Sequence, residues 1–144
     1  MSVERLIANN LRVAREDLAG ARLLAAAGNR NAAYLCEQAA EKIIRAVLTS
    51  EGIHGGIGHA LTQMVDAIPN VNPVKAQLAT LTPLAAYATT YRYPTSSRVP
   101  PAPAARDLEI HFQHLDEVLA EVSKRFGVDL DSAGSVARSP EPIR

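Results

Sequence analysis

The sequence has few of the residues that build sheets or disulfide frameworks. Trp is absent, aromatic residues make up 4% of the 144 residues, and Cys36 is the one cysteine. A single cysteine excludes an internal disulfide framework, and its place within an apolar helical pattern predicts a small core residue. Because Ala and Leu dominate and strand-like runs of β-branched and aromatic residues are missing, the composition favours closely packed helices over a sheet.

Charge and hydropathy narrow the possible classes further. The 15 basic and 15 acidic residues cancel, so no global field attracts nucleic acid or an anionic membrane. The longest uncharged run, residues 76–91, is too short and too rich in Thr to span a bilayer, and it contains Pro83. Residues 1–5 lack the apolar stretch of a signal peptide. We therefore expect a cytoplasmic protein without a membrane-embedded part.

Apolar residues recur every three or four positions along three long segments, which is the pattern of amphipathic helices. These helices are predicted at about residues 2–27, 31–50 and 104–126, with Ser2 as the first N-cap and with breaks at Gly28-Asn29 and Gly52. The pattern predicts a very short helix at about residues 59–68. It also predicts a helix that starts after Asn72, ends before Pro94, and is either kinked or begun by Pro83.

These segments predict an all-α protein, an antiparallel up-and-down bundle of four to five helices. From residue 127 onward the chain becomes polar and rich in Gly, Ser and Pro. Such a composition predicts a disordered, flexible C-terminal tail over residues 127–144. The folded domain is therefore expected to occupy residues 1–126.

A polar stripe runs along the second predicted helix. Its members, spaced by four, three and four residues, are Tyr34, Gln38, Glu41 and Arg45. At about 100° per residue they share one narrow face of the helix. One interpretation is a solvated face with a Glu41–Arg45 ion pair. The other is the wall of a groove whose side chains hydrogen-bond a base edge or a phosphate.

Arg106 and His111 form a pattern of an arginine, four residues and a histidine at the start of the last predicted helix. Five residues along a continuous helix turn two side chains about 140° apart, so these two converge within one chain only if Arg106 precedes the helix. Because His111 shares an apolar stripe with Leu108 and Leu115, a buried structural histidine is one interpretation, and ligand binding without catalysis is another.

The remaining polar patterns do not predict a metal or cofactor site. His111 and His114 have the spacing of a metal-binding pair, but no carboxylate or cysteine completes a recognisable set with them or with His54 and His59. The glycine-rich residues 55–58 do not form a phosphate loop, because no strand precedes them and no Gly-Lys-Ser/Thr ending follows. We therefore predict neither a metal ion nor a cofactor.

Four short segments follow one another in a recognisable order and spacing: Ala14-Arg-Glu-Asp-Leu-Ala-Gly-Ala21, Gln38-Ala-Ala-Glu-Lys42, Gly58-His59-Ala-Leu61 and Tyr91-Arg-Tyr-Pro94. Together they resemble the HEPN family, the "higher eukaryotes and prokaryotes nucleotide-binding" domain, over roughly residues 13–122. The resemblance implies a HEPN-like bundle, a homodimer and a ligand-binding groove. The groove residues that it implies are Tyr34, Gln38, Glu41, Lys42 and Arg45, with His59 and Arg92 in the walls.

The resemblance also implies three hypotheses about function. Similar proteins are often encoded beside a minimal nucleotidyltransferase and act with it as a toxin–antitoxin pair, so the first hypothesis is a component that binds a nucleotide, RNA or that partner. In many members, an arginine and a histidine spaced like Arg106 and His111 meet across a dimer interface as a metal-independent RNase, which is the second hypothesis. It makes Arg106 and His111 candidate catalytic residues, because a histidine can take a proton from a 2′-hydroxyl group and an arginine can hold the phosphate and stabilise its developing charge. The third is a purely structural interaction bundle. The sequence leaves open whether the chain is an enzyme.

Overall fold

A computed structural model describes residues 2–54 and 58–144 of the chain. Within these residues the protein contains five α-helices, one 3₁₀ helix and no strand, which confirms the predicted all-α bundle. The α-helices are α1 (Val3–Ala26), α2 (Asn31–Ser50), α3 (Leu61–Asp66), α4 (Lys75–Ala79) and α5 (Ala105–Phe126), and the 3₁₀ helix (Thr82–Ala88) lies between α4 and α5. None of the described helices combines the length and apolarity needed to cross a membrane.

Helices α1 and α2 form the most extensive helix pair of the bundle. The Ser2 side chain caps α1 by accepting a hydrogen bond from the Arg5 backbone N–H at 3.2 Å, as predicted. Gly28, with φ of +69°, reverses the chain after α1 in a left-handed conformation that side chains disfavour. The short connection makes α1 and α2 antiparallel neighbours. Helix α2 has the bounds that its apolar periodicity predicts.

The core lies where the apolar faces of α1, α2 and α5 meet beneath α3 and the 3₁₀ helix. Its largest fully buried side chains include Ile7, Leu11, Ile43, Ile44, Leu48, Met64 and Leu115. The predicted core position of Cys36 is confirmed, because this residue is 0% exposed. Burial raises the pKa of the Cys36 thiol to about 12, so the thiol stays protonated and is a poor nucleophile at neutral pH.

The region between α2 and α5 is more divided than its pattern predicted. The short helix expected at residues 59–68 is only α3, and His59 lies in the bend that precedes it. Of the two predicted roles of Pro83, a kink in one helix that runs up to Pro94 is wrong and the start of a helix is confirmed: α4 ends at Ala79, and a separate 3₁₀ helix with Pro83 in its first turn follows. The proline ring and the missing N–H prevent α4 from continuing. The predicted loop residues 55–57 lie outside the described residues.

Residues 127–144, for which a flexible tail was predicted, fold back against the bundle. Three apolar side chains of this segment are buried: Val128, Ala137 and Ile143. The Ala137 N–H donates a hydrogen bond to the Glu4 carbonyl at 3.1 Å, and the Arg144 guanidinium pairs with the Glu51 carboxylate at 2.8 Å. The polar composition hid these contacts, because a few apolar residues and backbone groups make them. The motion of the segment in solution stays a prediction.

Candidate functional site

An open cavity of about 480 Å³ lies beside the middle of α2. The structure brings to it all seven residues predicted to bind a ligand: Tyr34, Gln38, Glu41, Lys42, Arg45, His59 and Arg92. Three further lining residues, Asn10, Glu37 and Ala88, were not predicted. The walls therefore come from α1, α2, the segment before α3 and the region around the end of the 3₁₀ helix.

Helix α2 supplies most of the lining because its two faces are chemically distinct. Its apolar face, with Cys36, Ala40, Ile43 and Val47, is buried in the core. That burial fixes the rotation of the helix and aims the polar stripe away from the core. The stripe therefore lies along the wall of a groove, as one of the two interpretations predicted. The Glu41–Arg45 ion pair that the other interpretation predicted is also present.

Glu41 connects α2 to the segment that precedes α3. Its carboxylate accepts hydrogen bonds from Arg45 Nη2 at 3.2 Å and from Gln38 Nε2 at 3.3 Å, and it lies 2.5 Å from His59 Nδ1. Glu41 is only 7% exposed, whereas the side chain of His59 is 85% exposed. The carboxylate is therefore a fixed acceptor at the base of the cavity, and the imidazole lies at its rim.

Lys42 joins the cavity wall to α1. Its Nζ donates hydrogen bonds to Asp17 Oδ2 at 2.7 Å and to Gln38 Oε1 at 3.2 Å. Asp17 belongs to the first of the four family-like segments, and this contact gives that segment a physical role. Because both side chains are largely buried, the ammonium group is held in one place beside the cavity.

Glu37 is the main lining residue that the sequence reasoning missed. It is 2% exposed, and its Oε2 accepts a hydrogen bond from Gln38 Nε2 at 2.9 Å. Burial raises the pKa of the Glu37 carboxyl, the bond from Gln38 opposes this rise, and the neighbouring Glu41 adds to it. A signal was available, since Glu37 precedes Glu41 by four residues and so shares its side of the helix.

Arg92 covers the outer end of the cavity. Its guanidinium carbon lies 3.9 Å from the centre of the Tyr34 ring, which is the geometry of a cation–π stack. The Arg92 carbonyl accepts a hydrogen bond from Arg30 Nη1 at 3.2 Å, so the connection between α1 and α2 holds this residue in place. Within residues 2–54 and 58–144, no protein group accepts a hydrogen bond from the Arg92 guanidinium. Its N–H groups can therefore donate to a ligand.

The candidate catalytic pair lies elsewhere, on α5. Arg106 is exposed and sits inside the helix, which begins at Ala105, so it does not converge with His111 within one chain. His111 is partly buried, and its Nε2 lies 3.1 Å from the Tyr87 hydroxyl. Burial lowers the pKa of the His111 imidazole, which Asp107 partly offsets. Catalysis by this pair across two protomers stays a hypothesis.

Metal-binding side chains do not cluster in the part of the chain that the structure describes. No group of three or more His, Cys, Asp or Glu residues there has an arrangement that could hold a metal ion. Glu37, Glu41 and His59 approach one another at the cavity, but the Glu41 oxygens are already engaged by Arg45 and Gln38. The side chains of the cavity offer hydrogen-bonding groups, charge and a stacking surface.

The comparison with known families identifies the family of the chain. The family model described as HEPN domain matches residues 8–125, from the first turns of α1 almost to the end of α5. The chain belongs to the HEPN domain family. Searches of the curated proteins and of the solved structures gave no significant match. All four family-like segments lie within the matched residues, and three of them contribute residues to the cavity of this HEPN domain.

Proposed function

We propose that this HEPN protein binds a nucleotide or RNA in the α2 cavity and acts as the partner component of a nucleotidyltransferase–HEPN toxin–antitoxin system. We further propose that it does so as a cytoplasmic homodimer. One observation carries the binding proposal: seven polar and aromatic side chains from three separate stretches of the chain face a single cavity. The pairing with a nucleotidyltransferase rests on family membership.

The chemistry of the cavity suits the parts of a nucleotide. The stacked pair of Tyr34 and Arg92 offers an aromatic and cationic surface to a base. Lys42 and Arg45 supply positive charge for a phosphate, in a wall whose acidic groups partly neutralise them. Glu37, whose Oε2 accepts one hydrogen bond from Gln38, keeps acceptor capacity beside the cavity, which suits the exocyclic amino group of a base or a ribose hydroxyl.

Calorimetric titration with the four ribonucleoside 5′-monophosphates tests the binding proposal. We expect at least one to bind the wild-type protein, and Arg92→Ala to weaken that binding at least about ten-fold, because it removes both a stacking surface and charged hydrogen-bond donors. Arg98→Ala, which removes a nearby exposed arginine outside the cavity, is the matched control and should bind like the wild type. Absence of heat and of any melting shift with nucleotides and with short RNA would refute the proposal.

The partner proposal has a separate test. We expect a minimal nucleotidyltransferase to be encoded next to this chain and to co-purify with it when both are expressed together. Finding no such reading frame, or no complex after co-expression, would remove the partner from the proposal and leave ligand binding to stand alone.

The RNase hypothesis is the second candidate, and the exposure of Arg106 in the first turn of α5 supports it, because a second protomer can reach this side chain. Burial lowers the pKa of the His111 imidazole, which favours the neutral form that accepts a proton. If the hypothesis holds, the protein cleaves RNA without added metal, and Arg106→Ala and His111→Ala each abolish cleavage without unfolding the chain. Mixing the two inactive variants should then restore activity, since a mixed dimer contains one intact Arg106–His111 pair.

If the wild type leaves RNA intact, the hypothesis fails. If, in addition, neither nucleotide nor RNA binds, the structural interaction bundle is the remaining alternative.

A further inference from the structure

Arg92 lies near two tyrosine rings at the rim of the α2 cavity. Its guanidinium carbon is 3.9 Å from the centre of the Tyr34 ring, which lines the cavity, and 5.5 Å from the centre of the Tyr93 ring, which does not. The guanidinium thus stacks on a ring of the cavity wall, and a second ring lies beside it. Stacks of aromatic rings and guanidinium planes are the surfaces on which proteins hold unpaired bases.

The two tyrosines that flank Arg92 in sequence have different environments. Tyr91 packs edge-on against Tyr87, with ring centres 5.1 Å apart, and is partly buried. Tyr93 is 61% exposed. A single exposed aromatic residue needs no special explanation, but an exposed ring beside a guanidinium that lines a cavity can extend the binding surface of that cavity. Packing thus accounts for the position of the Tyr91 ring, but it does not account for the position of the Tyr93 ring.

Backbone hydrogen bonds hold this stack at the rim. The Arg92 N–H donates to the Thr89 carbonyl at 3.1 Å, and the Arg92 carbonyl accepts from Arg30 Nη1 at 3.2 Å. Because both polar backbone groups of Arg92 are engaged, the orientation of the residue is defined before any ligand arrives. A preformed stacking surface loses less conformational entropy on binding than a mobile one.

We propose that Tyr93 is a second base-stacking site and that the ligand of the cavity is a single-stranded RNA segment of at least two nucleotides. This inference rests on the proposed function. One nucleotide occupies the cavity beside Tyr34, and the next base stacks on the exposed ring of Tyr93. Stacking tolerates any base, so this second site contributes affinity and not sequence specificity.

The test compares mononucleotides with dinucleotides. AMP and UMP are titrated against pApA and pUpU under the same salt conditions, because phosphate contacts depend on salt. In the wild-type protein we expect each dinucleotide to bind at least about five-fold more tightly than its mononucleotide, since stacking of one base is worth about this much or more. Tyr93→Ala should bring the ratio of the two affinities close to one, and Tyr93→Phe, which keeps the ring, should preserve it.

Val99→Ala is the matched control, because Val99 is a similarly exposed apolar residue farther along the same loop, 68% exposed. It should keep the wild-type ratio. The inference fails, while the proposed function stands, if mononucleotides bind and dinucleotides bind no more tightly. It also fails if the dinucleotide advantage survives in Tyr93→Ala, which would assign the gain to the added phosphate. If no mononucleotide and no dinucleotide binds, the inference and the proposed function fail together.

Discussion

Helices α2 and α5 both present residues that a sequence pattern marks as functional, but only those of α2 meet in one place. Tyr34, Gln38 and Glu41 are separated by four and then three residues and therefore line the same cavity. Arg106 and His111 are separated by five residues on a continuous helix, so one is exposed and the other packs against Tyr87. The spacing of residues along a helix thus decides whether a pattern can form a site within one chain or needs a second chain.

The largest expected effect is on the free energy of unfolding. Loss of the acidic network of α2 should lower it clearly, whereas loss of the exposed arginine of α5 should not. Glu41→Ala should lower the free energy of unfolding by about 2 kcal/mol, because the change removes the buried acceptor shared by Arg45, Gln38 and His59. Arg106→Ala should change it by less than about 0.5 kcal/mol, as expected for an exposed side chain. Urea denaturation followed by circular dichroism measures both.

Glu117→Ala, an exposed acidic position on α5, is the control for loss of one negative charge. It should behave like Arg106→Ala. A loss in Glu41→Ala no greater than in Glu117→Ala would mean that the network around Glu41 adds nothing to stability, and the contrast between the two helices would disappear.

The next effect concerns the role of His111. His111→Ala should lower the free energy of unfolding by about 1–2 kcal/mol, because it removes the contact with the Tyr87 hydroxyl and an edge-on aromatic contact with centres 5.5 Å apart. His111→Phe keeps an aromatic ring and should recover part of the loss. The neighbouring exposed Gln113→Ala should cause almost none. If His111→Ala is as stable as Gln113→Ala, the structural interpretation of this histidine is wrong.

The smallest expected effect is a gain in stability, and it comes from replacing Glu37. Burial raises the pKa of this carboxyl in the folded chain above the ordinary value of 4.5. The folded state therefore holds the proton more tightly, so the stability that Glu37 contributes is full below pH 4.5 and is lost as the pH rises through the raised pKa. Glu37→Gln cannot ionise, and it should be more stable than the wild type at pH 7 by about 0.5–1 kcal/mol.

Melting temperatures measured from pH 4 to pH 7 check this prediction. The advantage of Glu37→Gln should shrink as the pH falls and should vanish below pH 4.5, where both side chains are neutral. An advantage that is the same at every pH would come from packing, and no advantage at pH 7 would mean that burial of the Glu37 carboxylate has no cost.

Much of the candidate site could be predicted because α2 carries so many of its residues. Helical periodicity alone places Tyr34, Gln38, Glu41 and Arg45 on one face, and the structure places that face on the cavity. His59 and Arg92 were predicted only through the family resemblance, because no local rule relates them to α2. Glu37 was missed although its spacing of four residues from Glu41 places both on one side of α2; what the sequence does not reveal is that a carboxylate there is 2% exposed.

The least predictable parts of the fold are those with the weakest local patterns. Pro83 signalled a break, but whether a kink or a new helix would follow depended on how the 3₁₀ helix packs against α2 and α3. Residues 127–144 have a composition typical of tails, yet Ile143 is buried and Arg144 pairs with Glu51. Such contacts join residues far apart in sequence, and local periodicity carries no information about them.

The sequence by itself determined the helical class, the bounds of α2 and the separation of that helix into a core face and a polar stripe. It could do so because helix geometry converts spacing directly into direction. Only the tertiary structure decided that the stripe faces a cavity bordered by His59 and Arg92, that Arg92 stacks on Tyr34 near the exposed ring of Tyr93, and that Arg106 and His111 diverge. These outcomes depend on how the helices pack and on where the connections between them run. Both are determined by burial of the whole core, to which every segment contributes, and not by any one segment.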